Sequence, residues 1–106
     1  MTRPRHPKPD ANQAQINAQL DDIGGFVICN VSSLPVAKAG CDEYVYGWNV
    51  VRRRVELHGF EIKMPGEGLT DREREFFARV HSLGSDGGVL HVARCVEDML
   101  RPFGRI

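Results

Sequence analysis

The chain has 106 residues, with 14 basic and 14 acidic side chains that leave no formal net charge. This length suffices for one domain with one hydrophobic core, and the absence of net charge means that any attraction to nucleic acid or membranes has to come from a local patch. No apolar run approaches the ~20 residues of a membrane span, and the initial MTRPRHPKPD lacks the apolar centre of a signal peptide. We therefore expect a cytoplasmic protein without membrane segments.

The first thirty residues predict an arm, a helix and a strand. Residues 1–9 are rich in proline and basic side chains and are expected to form a flexible basic arm, followed by a single domain over residues 10–106. Asp10 and Gln13 resemble a capping box that starts a helix. Apolar residues then recur at helical spacing until two glycines end the helix (Ile16, Leu20, Ile23; Gly24-Gly25). The β-branched and aromatic GFVICNVSSL predicts the first strand.

The second strand, CDEYVYGWNVV, combines an aromatic face with a basic end. Its alternation places Tyr44, Tyr46 and Trp48 on one side, where they could stack on bases, pack under a helix or form a dimer face. Three consecutive arginines follow at or near a hairpin turn (Arg52, Arg53, Arg54). They could bind phosphates through charge-assisted hydrogen bonds, or they could be solvated charges that protect a sheet edge.

The remaining sequence predicts a crossover between two parallel strands. VELHGFEIKM forms the third strand, and Thr70 with Glu73 forms a capping box that starts a helix over residues 70–83, with Phe76, Val80 and Leu83 as its buried stripe. VLHVARC is apolar enough for a central parallel strand, and VEDMLRPFG closes with a short helix. The order α-β-β-β-α-β-α predicts an α/β domain with a mixed sheet of about four strands and helices on its faces.

An acid and a base stand two residues apart in the third strand. Side chains alternate across a strand, so Glu61 and Lys63 share one face while Phe60, Ile62 and Met64 point to the other. A charged pair on a mostly buried strand costs free energy unless partners satisfy it. An ordinary ion pair, or water at a solvated end of the strand, would supply such partners.

A second acid predicts a metal site at the same place. In an antiparallel hairpin the start of one strand lies opposite the end of the next, so Asp42 and Glu61 are expected to meet at one end of the sheet. Two adjacent carboxylates repel unless a cation lies between them, and Mg²⁺ or Mn²⁺ prefers such oxygen ligands. With Lys63 nearby to stabilise charge on a phosphate, the group fits metal-assisted hydrolysis of a phosphodiester.

The residues around this group resemble those of the PD-(D/E)xK nucleases, which have the restriction-endonuclease-like fold. Asp42 followed by GFEIK is similar to the signature of that superfamily. GCDEYVYG resembles its G-x-P-D stretch, GLTDREREFF the start of its next helix, and GGVLHVARCVEDML its last strand and helix. The likeness runs from residue 10 to about residue 103 and is closest to small VRR-NUC and Holliday-junction-resolvase-like members, many of them phage-encoded.

The resemblance implies a homodimeric, metal-dependent nuclease that acts on DNA, with an α-β-β-β-α-β core and no organic cofactor. Asp42, Glu61 and the backbone carbonyl of Ile62 would bind Mg²⁺ or Mn²⁺, and Lys63 would be the catalytic lysine. Glu43 is an alternative ligand to Asp42, which is favoured because it keeps the residue type of the superfamily. The dimer interface is expected at the aromatic strand or at the first helix.

The sequence departs from the superfamily at three positions. Cys41 stands where members usually have a proline before the aspartate, and Gln15 stands where many have a glutamate that reaches the metal. An amide oxygen at Gln15 could bind the metal but adds no negative charge, so weaker metal binding or lost activity would follow. Arg72, Glu73 and Arg74 replace a frequent glutamine, and Arg72 could contact phosphate or belong to a solvated helix face.

Three functions are therefore open at the level of sequence. The first is a metal-dependent DNA endonuclease, with junctions or branched DNA as candidate substrates and the arginines named above as candidate DNA contacts. The second is a catalytically weak or inactive module on a nuclease fold that holds DNA or a partner protein, an alternative that the loss of an acid at Gln15 motivates. The third is a small interaction protein in which Glu61 and Lys63 form only a surface pair.

Overall fold

A computed structural model describes residues 7–30, 41–84 and 88–106, with the backbone alone for residues 7–10. Its elements are α1 Pro7–Ile23, β1 Phe26–Asn30, β2 Glu43–Asn49, β3 Arg54–Ile62, α2 Asp71–His81, β4 Leu90–Ala93 and α3 Val96–Leu100, the last continued by a 3₁₀ turn over Arg101–Phe103. None of the helices in these ranges is both long enough and apolar enough to cross a membrane.

The helices begin where local signals place them, with one difference. α1 begins at Pro7 instead of Asp10, so residues 7–9 belong to the helix and not to the predicted arm, whose residues 1–6 lie outside the described part. Proline is tolerated in a first turn because the N–H that it lacks has no intrahelical partner there. α2 begins after Thr70 as predicted, with both hydrogen bonds of the capping box formed.

The four strands form one mixed sheet in the order β1-β2-β3-β4. β2 pairs antiparallel with β1 and with β3, while β4 pairs parallel with β3. The predicted crossover from β3 through α2 to β4 is therefore confirmed, and the chain is a mixed α/β domain. The predicted hairpin turn is also present, with Arg53 at a positive φ of 58°.

Helices cover both faces of the sheet and create two cores of unequal size. On what we call the α1 face, α1 and α3 pack on side chains that are at most 2% exposed (Ile16, Leu20, Val45, Phe60, Ile62, Ala93, Met99, Phe103). On the opposite α2 face, Phe77 packs with Cys41 and Leu90 in a smaller core. Leu83, predicted to lie in the buried stripe of this helix, is 86% exposed because α2 ends before it.

Candidate active site

The acidic group expected from the sequence assembles where β2 begins and β3 ends. The Asp42 N–H donates to the Phe60 carbonyl at 3.1 Å, and Asp42 Oδ2 accepts a hydrogen bond from the Ile62 N–H at 2.8 Å. These two bonds lie on either side of Glu61 in the chain and hold the Asp42 carboxylate beside it, where the two side chains share a hydrogen bond. The structure thus brings Asp42 and Glu61 together.

Glu61 lies in a buried and electrostatically crowded position, with 6% of its surface exposed. Burial, then the charges of Asp42 and Glu73 and the hydrogen bonds shared with both, raise the pKa of Glu61 to about 9. At neutral pH and without a cation, Glu61 is therefore a neutral acid whose proton is shared with a neighbouring carboxylate. Strong perturbation by burial together with specific charged neighbours is typical of functional sites.

Lys63 joins the group through a partner that the sequence did not reveal. Its Nζ lies 2.8 Å from Glu73 Oε1, and its side chain is 13% exposed. Burial alone would lower the pKa of Lys63, but its hydrogen bond to Glu73 and the charges of Glu73, Glu61 and Glu67 raise it above the ordinary value. The ammonium is therefore charged, and the ion pair of Lys63 is with Glu73 on α2. This arrangement differs from a surface ion pair between Glu61 and Lys63, because Glu61 is buried and Lys63 pairs with Glu73.

Glu73 reaches the site because of the way α2 begins. The same Oε1 that binds Lys63 accepts a hydrogen bond from the Thr70 N–H at 2.8 Å, while the Glu73 N–H donates to Thr70 Oγ1 at 3.2 Å. Burial opposes ionisation, but the bonds from Lys63 and the Thr70 N–H keep the pKa of Glu73 below its ordinary value. The capping box was visible in the sequence, yet such a box indicates only a helix start and not what else its glutamate contacts.

Glu43, the alternative ligand, does not join the group, because neighbouring residues of a strand face opposite sides. It pairs with Phe60 and is fully buried on the α1 face. Its Oε1 accepts hydrogen bonds from Gln13 Nε2 and Asn17 Nδ2, both at 2.8 Å, and burial raises the pKa of Glu43. Of the two candidate acids, Asp42 is the one beside Glu61.

Gln15, the possible further metal ligand, differs in exposure from its neighbours on α1. It is exposed on α1, whereas its neighbours Asn12 and Gln13 are turned toward the sheet. Asn12 Nδ2 donates to the Lys63 carbonyl at 2.8 Å. The first helix therefore contacts the site through the backbone of Lys63.

The arginines at the hairpin turn, which were expected to contact DNA, lie far from the acids. Arg54 begins β3, which ends at Ile62, and at ~3.3 Å per residue Arg54 lies about 23 Å from Glu61. Arg52 and Arg54 both pair with Glu56, at 3.1 and 2.8 Å, and remain 48% and 63% exposed. A phosphate bound at this turn would be well separated from one bound at Glu61. Arg72 is exposed on α2.

The donors around Glu61 suit a hard divalent cation. Two carboxylates and a backbone carbonyl are the oxygen ligands that Mg²⁺ prefers, and a cation would relieve the crowding that raises the pKa of Glu61. Within the described ranges, no three His, Cys, Asp or Glu side chains are grouped so that they could hold a metal. The donor set fits a cation that keeps several waters and is held by two carboxylates, the usual manner for Mg²⁺.

No protein-family model, no curated protein and no solved structure matches the chain. Function has to be inferred from the side chains around Glu61 and from the likeness of the GFEIK and GCDEYVYG motifs to those of nucleases.

A second polar cluster lies on the α1 face and was not expected from the sequence. His58 Nδ1 is 2.8 Å from His91 Nε2, and His58 Nε2 is 2.9 Å from Glu56 Oε1. Burial opposes ionisation of Glu56, but hydrogen bonds from His58, Arg54, Asn49 and Arg52 lower its pKa to about 2. Glu56 is therefore a carboxylate at neutral pH and accepts the Nε2–H of His58.

His58 and His91 share one hydrogen bond between their rings. His58 Nδ1 lies 2.8 Å from His91 Nε2, so one of these two nitrogens donates and the other accepts. Burial, followed by the charges of His58 and His81, lowers the pKa of His91 to about 4. His91 is therefore neutral at physiological pH, on the wall of a pocket of about 360 Å³.

Proposed function

We propose that the chain is a cytoplasmic, Mg²⁺- or Mn²⁺-dependent DNA endonuclease of the PD-(D/E)xK type that hydrolyses phosphodiester bonds. The observation that carries the proposal is the meeting of Asp42 and Glu61 from neighbouring strands, with charged Lys63 beside them. The element order and the strand order β1-β2-β3-β4 are compatible with the restriction-endonuclease-like core that the motifs imply. A fold alone does not define a function, so the site carries the argument.

Each residue of the site has a separate task in this proposal. Asp42, Glu61 and the Ile62 carbonyl would hold the cation, which supplies Lewis-acid activation of the phosphodiester. The bond from the Ile62 N–H fixes Asp42 Oδ2 and so orients the carboxylate. Glu61 has to release its proton when the cation binds, because only the carboxylate is a ligand. Lys63 stabilises the negative charge that develops on the phosphate.

The test compares adjacent acids on opposite faces of the sheet. Supercoiled plasmid and branched DNA are incubated with the protein in Mg²⁺, Mn²⁺ or EDTA, and we expect cleavage in either metal and none in EDTA. Asp42→Asn keeps the hydrogen bond to Ile62 but loses the charge, so the rate should fall by about 100-fold. Glu43→Gln, an equally conservative change on the α1 face, should leave the rate within about twofold. Cleavage in EDTA, or equal losses in both variants, contradicts the proposal.

A second candidate function, a module that holds DNA or a protein without cutting, is favoured by the position of Gln15. This residue stands where many members of the superfamily have a glutamate and is exposed on α1, and Lys63 is already paired with Glu73. Under this function the protein would bind branched DNA equally well in metal and in EDTA. Neither Mg²⁺ nor Mn²⁺ would support nicking of the plasmid.

Glu73→Gln is expected to slow turnover without unfolding the helix. The glutamine oxygen can still accept the Thr70 N–H, but the negative charge that holds Lys63 is lost. We expect kcat to fall about tenfold while KM for DNA changes less than about twofold, because Lys63 acts mainly on charge formed in the transition state. Steady-state nicking and urea unfolding measure the two effects.

The matched control is Glu75→Gln, an exposed position on the same helix, which should change neither kcat nor stability. A Glu73→Gln protein with reduced stability and unchanged kcat would assign Glu73 a role in capping alone.

A further inference from the structure

Arg94 lies just past the end of β4, on the same face of the sheet as the acidic group. The Lys63 N–H donates to the Ala93 carbonyl at 3.0 Å, which extends the parallel pairing of β3 and β4 by one bond. Lys63 and Arg94 are therefore neighbours, with their backbones ~4.8 Å apart. Because side chains alternate along a strand, Arg94 shares the α2 face with Val92, which packs against the smaller core.

The surrounding chain holds Arg94 at both ends. Its backbone N–H donates to Asp98 Oδ2 at 2.9 Å. Its guanidinium donates from Nε to the Glu67 carbonyl at 3.1 Å and from Nη2 to the same oxygen. That carbonyl belongs to a closed turn, in which the Glu67 N–H donates to the Met64 carbonyl and Glu67 Oε1 accepts the Met64 N–H. The side chain is therefore positioned before any ligand arrives, which lowers the entropic cost of binding.

These contacts position the guanidinium of Arg94 without neutralising its charge. Lys63, its neighbour on β3, is already paired with Glu73 at 2.8 Å. Other arginines in the described part of the chain pair with carboxylates (Arg52, Arg54, Arg74, Arg101). With the described residues Arg94 forms no ion pair, and a neutral carbonyl holds it instead. Its charge is therefore available to an anionic ligand beside the acidic group.

The open edge of the Arg94 guanidinium has the shape of a phosphate site. An arginine offers five N–H groups in a planar fork, and the Glu67 carbonyl occupies the edge formed by Nε and Nη2. Along the edge formed by Nη1 and Nη2, the described residues supply no partner. Neither nitrogen is a buried atom left unpaired, so this edge faces solvent. Two parallel N–H groups of this kind match two oxygens of a phosphate.

Charges at this end of the sheet change sign from β2 toward β4. Asp42 and Glu61 lie where β2 begins and β3 ends, Lys63 follows Glu61 on the same face, and Arg94 comes last at β4. At ~3.3 Å per residue and ~4.8 Å between strands, the Cα atoms of Glu61 and Arg94 are about 8 Å apart. A phosphate held beside the acids would meet Lys63 first, and the next phosphate toward β4 would meet Arg94.

We propose that Arg94 binds the backbone phosphate next to the scissile one, so that the site selects a polynucleotide strand over a single phosphodiester. The position of the scissile phosphate rests on the proposed nuclease function, whereas the contact with Arg94 can be measured without cleavage. Contacts to the backbone supply affinity and do not read sequence. A contact made equally in the ground state and in the transition state lowers KM and leaves kcat unchanged. Arg94 is thus a substrate-binding residue, whereas Lys63 acts on charge formed during the reaction.

The first test measures binding of a short fluorescent DNA duplex in EDTA, between about 50 and 200 mM NaCl. Arg94→Gln loses the charge but keeps an amide that can donate to the Glu67 carbonyl, so the midpoint of urea unfolding should stay that of the wild type. We expect Kd to rise about tenfold. The slope of log K against log salt should fall in magnitude by about 0.9, the value for one lost phosphate contact. Arg94→Lys keeps the charge and should keep the slope.

The matched control is Arg101→Gln, which removes the same charge from the protein. Arg101 also contacts Asp98, at 3.0 Å, but it lines the pocket beside His91 instead of the acidic group. We expect its Kd to stay within about twofold of the wild type and its salt slope to be unchanged.

The second test measures cleavage in Mg²⁺ and addresses the selection of a strand. Arg94→Gln should raise KM for a DNA strand about tenfold and leave kcat within about twofold. Bis(p-nitrophenyl) phosphate is a diester without a neighbouring phosphate, so its hydrolysis should be the same in the variant and in the wild type.

Two binding results would overturn the proposal. One is an Arg94→Gln protein with the affinity and salt slope of the wild type, which would leave Arg94 as a clamp of the turn even in a protein that cuts DNA. The other is an equal loss in Arg94→Gln and Arg101→Gln, which would reflect net charge alone. Failure of the nuclease function gives a different pattern. The slope would still fall in Arg94→Gln, which upholds the phosphate contact, while neither metal supports nicking by the wild type.

Discussion

Glu61→Gln is expected to make the metal-free protein more stable while it removes DNA cleavage. Glutamine has nearly the shape of glutamate and can donate a hydrogen bond to Asp42 or Glu73, as the neutral acid does. It cannot become the anionic ligand that the proposed cation requires, so we expect the nicking rate to fall on the order of 1,000-fold.

The stability effect follows from the raised pKa of Glu61. In the folded protein this pKa is about 9, whereas in the unfolded chain it is about 4.3. Between these values the folded state binds more protons, so the unfolding free energy of the wild type falls as the pH rises from about 4 to 9. The variant carries no such proton, and its advantage should grow over this range to about 1–3 kcal/mol, an order-of-magnitude value for a crowded site.

Urea unfolding in EDTA at pH 5, 7 and 9 measures this difference, and the exposed Glu75→Gln serves as its control. Addition of Mg²⁺ should stabilise the wild type and not Glu61→Gln, because a ligand stabilises only the state that binds it. A variant no more stable than the wild type at pH 9 would show that the carboxylates are not crowded. A variant that still cuts would remove Glu61 from the active site.

Acid is expected to destabilise the protein through His91. The pKa of His91 is about 4 in the fold and about 6.5 in an unfolded chain. The unfolded state therefore binds more protons between these values, and stability is lost as the pH falls from about 6.5 to 4. Each pH unit contributes at most about 1.4 kcal/mol, so the loss is on the order of 3 kcal/mol.

The measurement uses the Glu61→Gln protein, because Glu61 contributes with the opposite sign over the same pH range. Unfolding free energies are compared between this protein and the double variant with His91→Gln, whose amide can still form a hydrogen bond with His58 Nδ1. The unfolding free energy of the protein that retains His91, minus that of the double variant, is expected to fall by about 2–3 kcal/mol between pH 7 and pH 4. An advantage that stays constant with pH would exclude His91 as the titrating group.

The parts of the site that could be predicted from the sequence are those fixed by local geometry. Alternation along β3 places Glu61 and Lys63 on one face, and hairpin pairing brings the start of β2 to the end of β3, which is sufficient to expect Asp42 beside Glu61. Whether Asp42 or Glu43 lies beside Glu61 depends on the register of the hairpin. Three consecutive arginines do not fix the position of the turn, so the sequence did not define that register. The structure supplies it, because Glu43 pairs with Phe60.

The parts that could not be predicted depend on packing between distant segments. His58 and His91 are 33 residues apart and meet only because β4 pairs with β3 in one particular register. The partner of Lys63 depends on how α2 lies on the sheet, and helical periodicity does not specify that angle. For the same reason the sequence did not distinguish the exposed Gln15 from its buried neighbour Gln13.

The shared oxygen of Glu73 connects Lys63 to the first turn of α2. Terminal turns of helices fray far more often than whole domains unfold, and each opening of this turn would free the lysine from its carboxylate. The fraction of molecules in which Glu73 holds Lys63 would then depend on the local unfolding of this one turn. Gentle warming, or urea too dilute to unfold the domain, would lower turnover while the sheet stays intact.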